Sequence, residues 1–148
     1  MVYKTASGSE PPPRLRAVSG DPPTDSPIER GKARHRLLIV EDDRAIREPL
    51  AEGLRDEGFT VDIAEDGIQA IEAMLMAPPD LVLLDLMMPR MTGWQLLAEM
   101  AKHHLLRQIP VFVVTAAQYA GRVPTGYPTW VKPLRLQQIV PSIHRYLD

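Results

Sequence analysis

Leu81-Val82-Leu83-Leu84-Asp85-Leu86-Met87-Met88-Pro89 sets four consecutive branched aliphatic residues directly against a carboxylate. A run that is apolar on both faces fits a central strand of a parallel sheet, covered on each side by helices. A carboxylate placed immediately after it is expensive to keep there without a partner. The same arrangement recurs along the chain. Leu37-Leu38-Ile39-Val40 ends in Glu41-Asp42, Val111-Phe112-Val113-Val114 ends in Thr115, and Trp130-Val131 ends in Lys132. Buried strands that finish in acids, a hydroxyl and a lysine describe one rim of a parallel sheet, where α/β folds place their chemistry.

The segments between these runs alternate with them. Ile46, Leu50 and Leu54 recur at helical spacing, so residues 44 to 57 are predicted helical, with Asp43 as N-cap and Pro49 as a bend. Residues 59 to 63 alternate as a strand does, and Asp66-Gly67 opens a helix carrying Ile68, Ile71, Met74 and Leu75 up to Pro78-Pro79. A third helix carries Trp94, Leu96, Leu97 and Met100 to about His104. Gly121, Pro124, Gly126 and Pro128 leave little room for a helix before the short strand Thr129-Trp130-Val131. A last helix over residues 135 to 147 turns Leu136, Ile139, Val140, Ile143 and Leu147 inward. Five strands alternating with helices predict an α/β, doubly wound, five-stranded parallel sheet.

Composition bounds the rest. A chain of 148 residues holds one domain plus an extension, since compact domains commonly take about 100 to 150 residues. Residues 1–34 carry six prolines among Ser, Gly, Asp and Arg without apolar periodicity, and are predicted to be a disordered Pro-rich extension ahead of a domain over residues 35–148. The extension has six Lys or Arg against four acids and the remainder eleven against fifteen, so the domain is mildly acidic, which argues against nucleic-acid binding. There is no cysteine, hence no disulfide or thiolate metal site, and no apolar span of about 20 residues or signal peptide is visible. A soluble cytoplasmic protein is the expectation.

If the sheet has the strand order 2-1-3-4-5, the first and third strands are neighbours at a switch point and their terminal acids converge. Two carboxylates about 4 Å apart repel by roughly 4 kcal/mol at an effective dielectric of about 20, so the group needs a cation or a shared proton. A hard divalent ion with oxygen ligands, Mg²⁺ or Mn²⁺, suits it. Taken singly, each feature has a plainer explanation. Glu41-Asp42-Asp43 fits the positive end of the following helix, Lys132 a surface ion pair, and Thr115 an ordinary strand-end hydroxyl. Together they supply a nucleophile, charge neutralisation and oriented donors, which is what phosphoryl transfer to a carboxylate requires.

At these residues the chain resembles the receiver domain of bacterial two-component response regulators, a flavodoxin-like fold with order 2-1-3-4-5. The likeness covers about residues 35 to 147 and is most specific over residues 81 to 93, from Leu81 to Gly93. The resemblance implies that Asp85 is the phosphoacceptor, and that Glu41, Asp42, Asp85 and the backbone carbonyl of Met87 hold Mg²⁺. It also implies that the Thr115 hydroxyl and the Lys132 ammonium meet phosphoryl oxygens, that the small Ala116 leaves room for the group, and that the Lys132-Pro133 bond is cis. The phosphoryl donor would be a sensor histidine kinase or a histidine phosphotransfer protein.

Several positions depart from the family pattern. Glu41 stands where aspartate is commoner, the family's fourth helix is expected to be shortened or missing, and Thr129 replaces a switching aromatic, with Trp130 beside it. One expectation is a loose segment over residues 116 to 129 that phosphorylation orders. The leading expectation is a single-domain response regulator, a monomer or weak dimer. It would act on a downstream protein target and catalyse only its own phosphorylation and dephosphorylation. The alternative is a receiver-like scaffold that binds partners constitutively. A third reading, a metal-dependent phosphatase or nucleotide-binding enzyme on a similar sheet, would need a second acid two residues after Asp85 and a phosphate loop, and the sequence has neither.

Overall fold

The structure, a computed structural model, describes residues 34–148. The extension predicted over residues 1–34 lies, apart from Arg34, outside the described residues. Strand β1 (Arg36–Val40) is followed by helix α1 (Arg44–Asp56), β2 (Thr60–Ala64), α2 (Gly67–Met76), β3 (Leu81–Leu84) and α3 (Gly93–Lys102). Then come β4 (Val111–Thr115), β5 (Thr129–Val131) and α4 (Leu136–Leu147), with 3₁₀ turns over Leu106–Gln108 and Ala117–Arg122. The five strands pair in parallel in the order β2-β1-β3-β4-β5. This is the doubly wound, flavodoxin-like sheet that the sequence predicts.

The alternation of side chains along a strand divides the core in two. Leu38, Val40, Val82, Leu84, Val111 and Val113 face α2 and α3. Leu37, Ile39, Leu81, Leu83 and Phe112 face α1 and α4. Helix starts are set by side-chain oxygens: Asp43 caps α1, Asp66 caps α2, and Thr92 with Gln95 forms a capping box on α3. Among the described residues no helix is long and apolar enough to cross a membrane.

Two helices present different residues to the core than their apolar spacing suggests. In α1 the buried residues are Arg47, Ala51 and Leu54, while Ile46 is exposed and Leu50 half-buried. Leu54 of the apolar stripe is thus buried with Arg47 and Ala51, while Ile46 and Leu50 line a groove together with Leu136. In α2, Met74 of the apolar stripe is buried as expected, but Ile68 and Leu75 are about half exposed, and Gly67 and Ala70 are buried instead. Small residues face inward there because α2 lies close to the loop before α3: a Cβ on Gly67 would stand 2.7 Å from Met91.

The helix expected to be shortened or missing between β4 and β5 is indeed abbreviated: the chain there forms only the six-residue 3₁₀ segment Ala117–Arg122, none of whose residues is fully buried. It is fastened to α3 at one point, where the Trp94 indole N–H donates to the Arg122 carbonyl at 3.0 Å. The Arg122 guanidinium stacks over the Trp94 ring at 5.1 Å, and Tyr119 meets the same ring edge-on.

Candidate functional site

The rim beyond β1, β3, β4 and β5 gathers the charged residues. Glu41 continues the ladder past β1, its N–H donating to the Ala64 carbonyl at 3.0 Å, and Asp85 does the same past β3 by donating to the Val40 carbonyl at 3.0 Å. Because β1 and β3 are neighbours, one carboxylate oxygen from each of Glu41, Asp42 and Asp85 lies within 4.8 Å of the others. Glu41 and Asp85 are nearly buried, and Asp42 opens to solvent. Lys132 reaches across from the end of β5, with Nζ 2.8 Å from Glu41 Oε1 and 3.4 Å from Asp85 Oδ2. Its own N–H donates to the Thr115 carbonyl, and the Lys132-Pro133 bond is cis.

Thr115 is wholly buried and its hydroxyl has no hydrogen-bond partner among the described residues, an uncommon state for a buried polar atom. Ala116 follows it half-buried, and Ala117 and Met87 are exposed on either side of the acceptor loop. The Met87 N–H lies 3.4 Å from Asp85 Oδ1. A Cβ on Gly93 would fall 2.6 Å from the Asp85 carbonyl oxygen, so only glycine lets α3 begin this close beneath the acceptor.

Crowding dominates the electrostatics. Burial, assisted by the neighbouring Asp85 charge, pushes Glu41 up to about 7 against the pull of Lys132. Burial likewise raises Asp85, although Lys132 and the Met87 N–H oppose it. Burial alone would lower Lys132, but the two carboxylates hold it above its ordinary value. Three carboxylates facing one ammonium leave two negative charges when all are ionised, and every donor is a hard oxygen. The donor set fits Mg²⁺ or Mn²⁺.

The raised acids set a stability trend. Between the ordinary glutamate range and about 7 the folded chain keeps a proton on Glu41 that the unfolded chain has released. Without divalent ions, folding stability should therefore fall as pH rises from about 5 to 8, by about 2 to 3 kcal/mol. Asp66 works in the other direction only at lower pH, because its pKa is held below the ordinary value. Urea midpoints measured in EDTA across that range check the trend, and a rise with pH would contradict it.

Sequence reasoning missed the residues that brace the rim. Arg47 lies beneath the β1–α1 turn and donates to the Glu41 carbonyl at 3.0 Å. Arg90, left-handed at φ 64°, clamps the buried Asp66 carboxylate through Nε at 2.7 Å and through Nη2, tying the loop after β3 to the start of α2. The Gln69 N–H and this guanidinium outweigh burial and lower the Asp66 pKa. No local spacing announces either arginine. The partners of Arg47 are peptide oxygens, which every residue carries, and the partner of Arg90 lies 24 residues away.

The family model of the response regulator receiver domain matches residues 37–125. The chain belongs to this family, whose signalling is the phosphorylation-based signalling of two-component systems. Among curated relatives, the response regulator MprA of Mycobacterium ulcerans is 32% identical over 117 residues, covering 76% of this chain and 50% of its own length. MprA of Mycobacterium leprae matches at the same identity and extent. The chain thus spans about half the length of these curated relatives. Among solved structures, the Vibrio cholerae chemotaxis protein CheY4 superposes with a TM-score of 0.68 at 27% identity, covering 78% of this chain and all of that one. A CheY-like receiver domain protein from Methanospirillum hungatei gives 0.68 at 26% identity, covering 76% and 93%.

Proposed function

We propose that Asp85 accepts a phosphoryl group from the phosphohistidine of a sensor kinase or histidine phosphotransfer protein, and that the modified chain signals by binding a protein target. One observation carries the reading: a nearly buried Asp85 grouped with an ammonium and two further acids, with a buried, unpartnered threonine hydroxyl ending the adjoining strand β4. An Asp85 carboxylate oxygen attacks phosphorus as the bond to the imidazole nitrogen breaks, and the imidazole leaves. The Thr115 hydroxyl donates to one equatorial oxygen and the Lys132 ammonium pairs with another, while Ala116 leaves space for the group. Mg²⁺, when bound by Glu41, Asp42, Asp85 and the Met87 carbonyl, would offset the charge of the incoming phosphoryl group. The only reactions the chain itself catalyses would be gain and loss of this group.

A groove of about 540 Å³ supports the partner's approach. Ile46, Pro49, Leu134 and Leu136 form apolar walls, and Glu41, Asp85 and Lys132 lie at the same opening. That combination suits a helix presenting a histidine from an apolar face.

The test is incubation with acetyl phosphate and Mg²⁺, followed by mapping of acid-labile phosphate. Label on Asp85 that EDTA abolishes supports the reading. Label elsewhere, or none with either acetyl phosphate or a phosphorylated histidine protein, would favour the constitutive scaffold.

The label should also persist. Neither Met87 nor Ala117 can hold an attacking water by hydrogen bonding, so hydrolysis lacks an orienting side chain on both flanks. Met87→Asn should hasten loss of the label roughly tenfold, less than full general acid–base catalysis because a carboxamide orients water without taking its proton. Equal decay of the two purified proteins would contradict this.

A further inference from the structure

We propose that Arg47 is a positioning residue for the reaction, its buried guanidinium fastening the peptide carbonyls of Glu41 and Asp42 so that their carboxylates converge with Asp85. The inference rests on the metal-binding role proposed above for those carboxylates.

The Arg47 side chain is only 5% exposed, yet among the described residues no carboxylate lies within hydrogen-bond distance of it. Glu48 is 3.6 Å from Nε and Glu65 3.9 Å from Nη2, both on side chains about half exposed, and Nε has no hydrogen-bond partner. Two half-exposed carboxylates standing off at 3.6 and 3.9 Å compensate a buried guanidinium only weakly. If the position served packing alone, an aliphatic residue continuing the Ala51 and Leu54 face would suit it better. Its short contacts are instead two successive peptide oxygens, Nη1 lying 3.0 Å from the Glu41 carbonyl and 3.4 Å from that of Asp42.

Those two residues are where the chain turns from strand to helix. The Glu41 N–H still belongs to the ladder, and by Asp43 the side chain already caps α1 through the Ala45 N–H at 2.9 Å. The carbonyls between fall outside both the sheet and the helix. Arg47 is anchored one helical turn along, its N–H donating to the Asp43 carbonyl at 2.8 Å. It therefore offers a rigid donor that stops these peptide planes from rotating. Rotation of either plane swings the carboxylates beside it and disperses the oxygens now within 4.8 Å. Arg47 makes no hydrogen bond to Asp85 or Lys132, so it acts through Glu41 and Asp42 and not on the reacting atoms.

The experiment is a calorimetric Mg²⁺ titration of the full chain and of Arg47→Met and Arg47→Lys, each alongside a melting curve. Groups that orient metal ligands typically change affinity by about 10- to 100-fold when removed. Arg47→Met should raise the Kd for Mg²⁺ by that factor. Arg47→Lys, which keeps one donor, should recover part of it, and saturating Mg²⁺ should bring the labelling rate of both variants back toward that of the parent. A packing role would lower the melting temperature and leave the Kd within about twofold, and that result overturns the proposal. Should Arg47→Met fail to fold, NMR of the unmodified protein decides. The Arg47 guanidinium N–H signals should exchange slowly and shift with the same Mg²⁺ midpoint as the Asp85 amide, and signals unmoved at saturation overturn the proposal. If the unmodified protein binds no Mg²⁺, the metal reading fails and this inference with it. If it binds normally and only the arginine tests fail, the fault lies with Arg47 alone.

Discussion

Asp85→Asn protein should take up no acid-labile phosphate and should melt at a higher temperature than the unmodified chain when both are kept in EDTA. Losing the label follows from chemistry, since a carboxamide oxygen is a poor nucleophile toward phosphorus. Gaining stability follows from the site. Burial raises the Asp85 pKa, so ionising it in the folded chain costs free energy, and a neutral isostere removes that cost. Asparagine keeps the backbone bond to the Val40 carbonyl and an oxygen facing the Met87 N–H, and Lys132 retains its shorter contact with Glu41. The expected gain is on the order of 1 kcal/mol, a few degrees in a domain of this size. Calorimetric melts beside phosphate labelling test both halves. Full labelling of the variant, or a fall in its melting temperature, would count against the account.

Lys132→Met should move stability the other way. Among the described residues the ammonium is the cation paired with both Glu41 and Asp85, and a thioether of similar length leaves two nearly buried carboxylates facing each other and Asp42. Breaking a buried ion pair costs about 3 to 5 kcal/mol, and the partial exposure of Lys132 places the expectation at about 2 to 3 kcal/mol at slightly alkaline pH without divalent ions. The deficit should shrink as the solution is acidified, because a proton on Glu41 then does part of the neutralising. Phosphorylation by acetyl phosphate should slow by roughly 10² to 10³-fold, the usual consequence of removing one donor aimed at developing charge. Urea titrations at two pH values and initial labelling rates provide the readout. A variant indistinguishable from the parent in both would remove Lys132 from the mechanism. The two substitutions together form a sign test, since one relieves the anionic crowding and the other worsens it.

Much of this arrangement could be read from sequence because parallel strands announce themselves. Leu81 to Leu84 and Val111 to Val114 are apolar on both faces, and the residue that ends such a run stands at the rim. The helix caps Asp43 and Asp66 were equally legible, since capping depends on neighbours two or three residues away. Helix orientation was less so. Ile46 and Leu50 belong to an apolar stripe that ends in a groove, and Ile68 and Leu75 point outward because Gly67 and Ala70 permit the closer approach. Periodicity marks an apolar stripe without saying what it faces.

By itself, then, the order of residues determined the strand count and the sheet type, and it placed Glu41, Asp42, Asp85 and Thr115 just past or at the end of buried apolar runs and Lys132 after the partly exposed β5, because the local pattern marks where each run stops. Only the tertiary structure decided how those groups meet. It brought three carboxylate oxygens within 4.8 Å, shared one ammonium between two of them and left the Thr115 hydroxyl without a partner. It also turned Arg47 inward beneath the acidic turn and set Arg90 against Asp66 from another loop. The physical reason is range. Propensity and capping act over a few residues, whereas the energies of buried charge and unpaired polar groups depend on which distant segments the folded sheet places side by side.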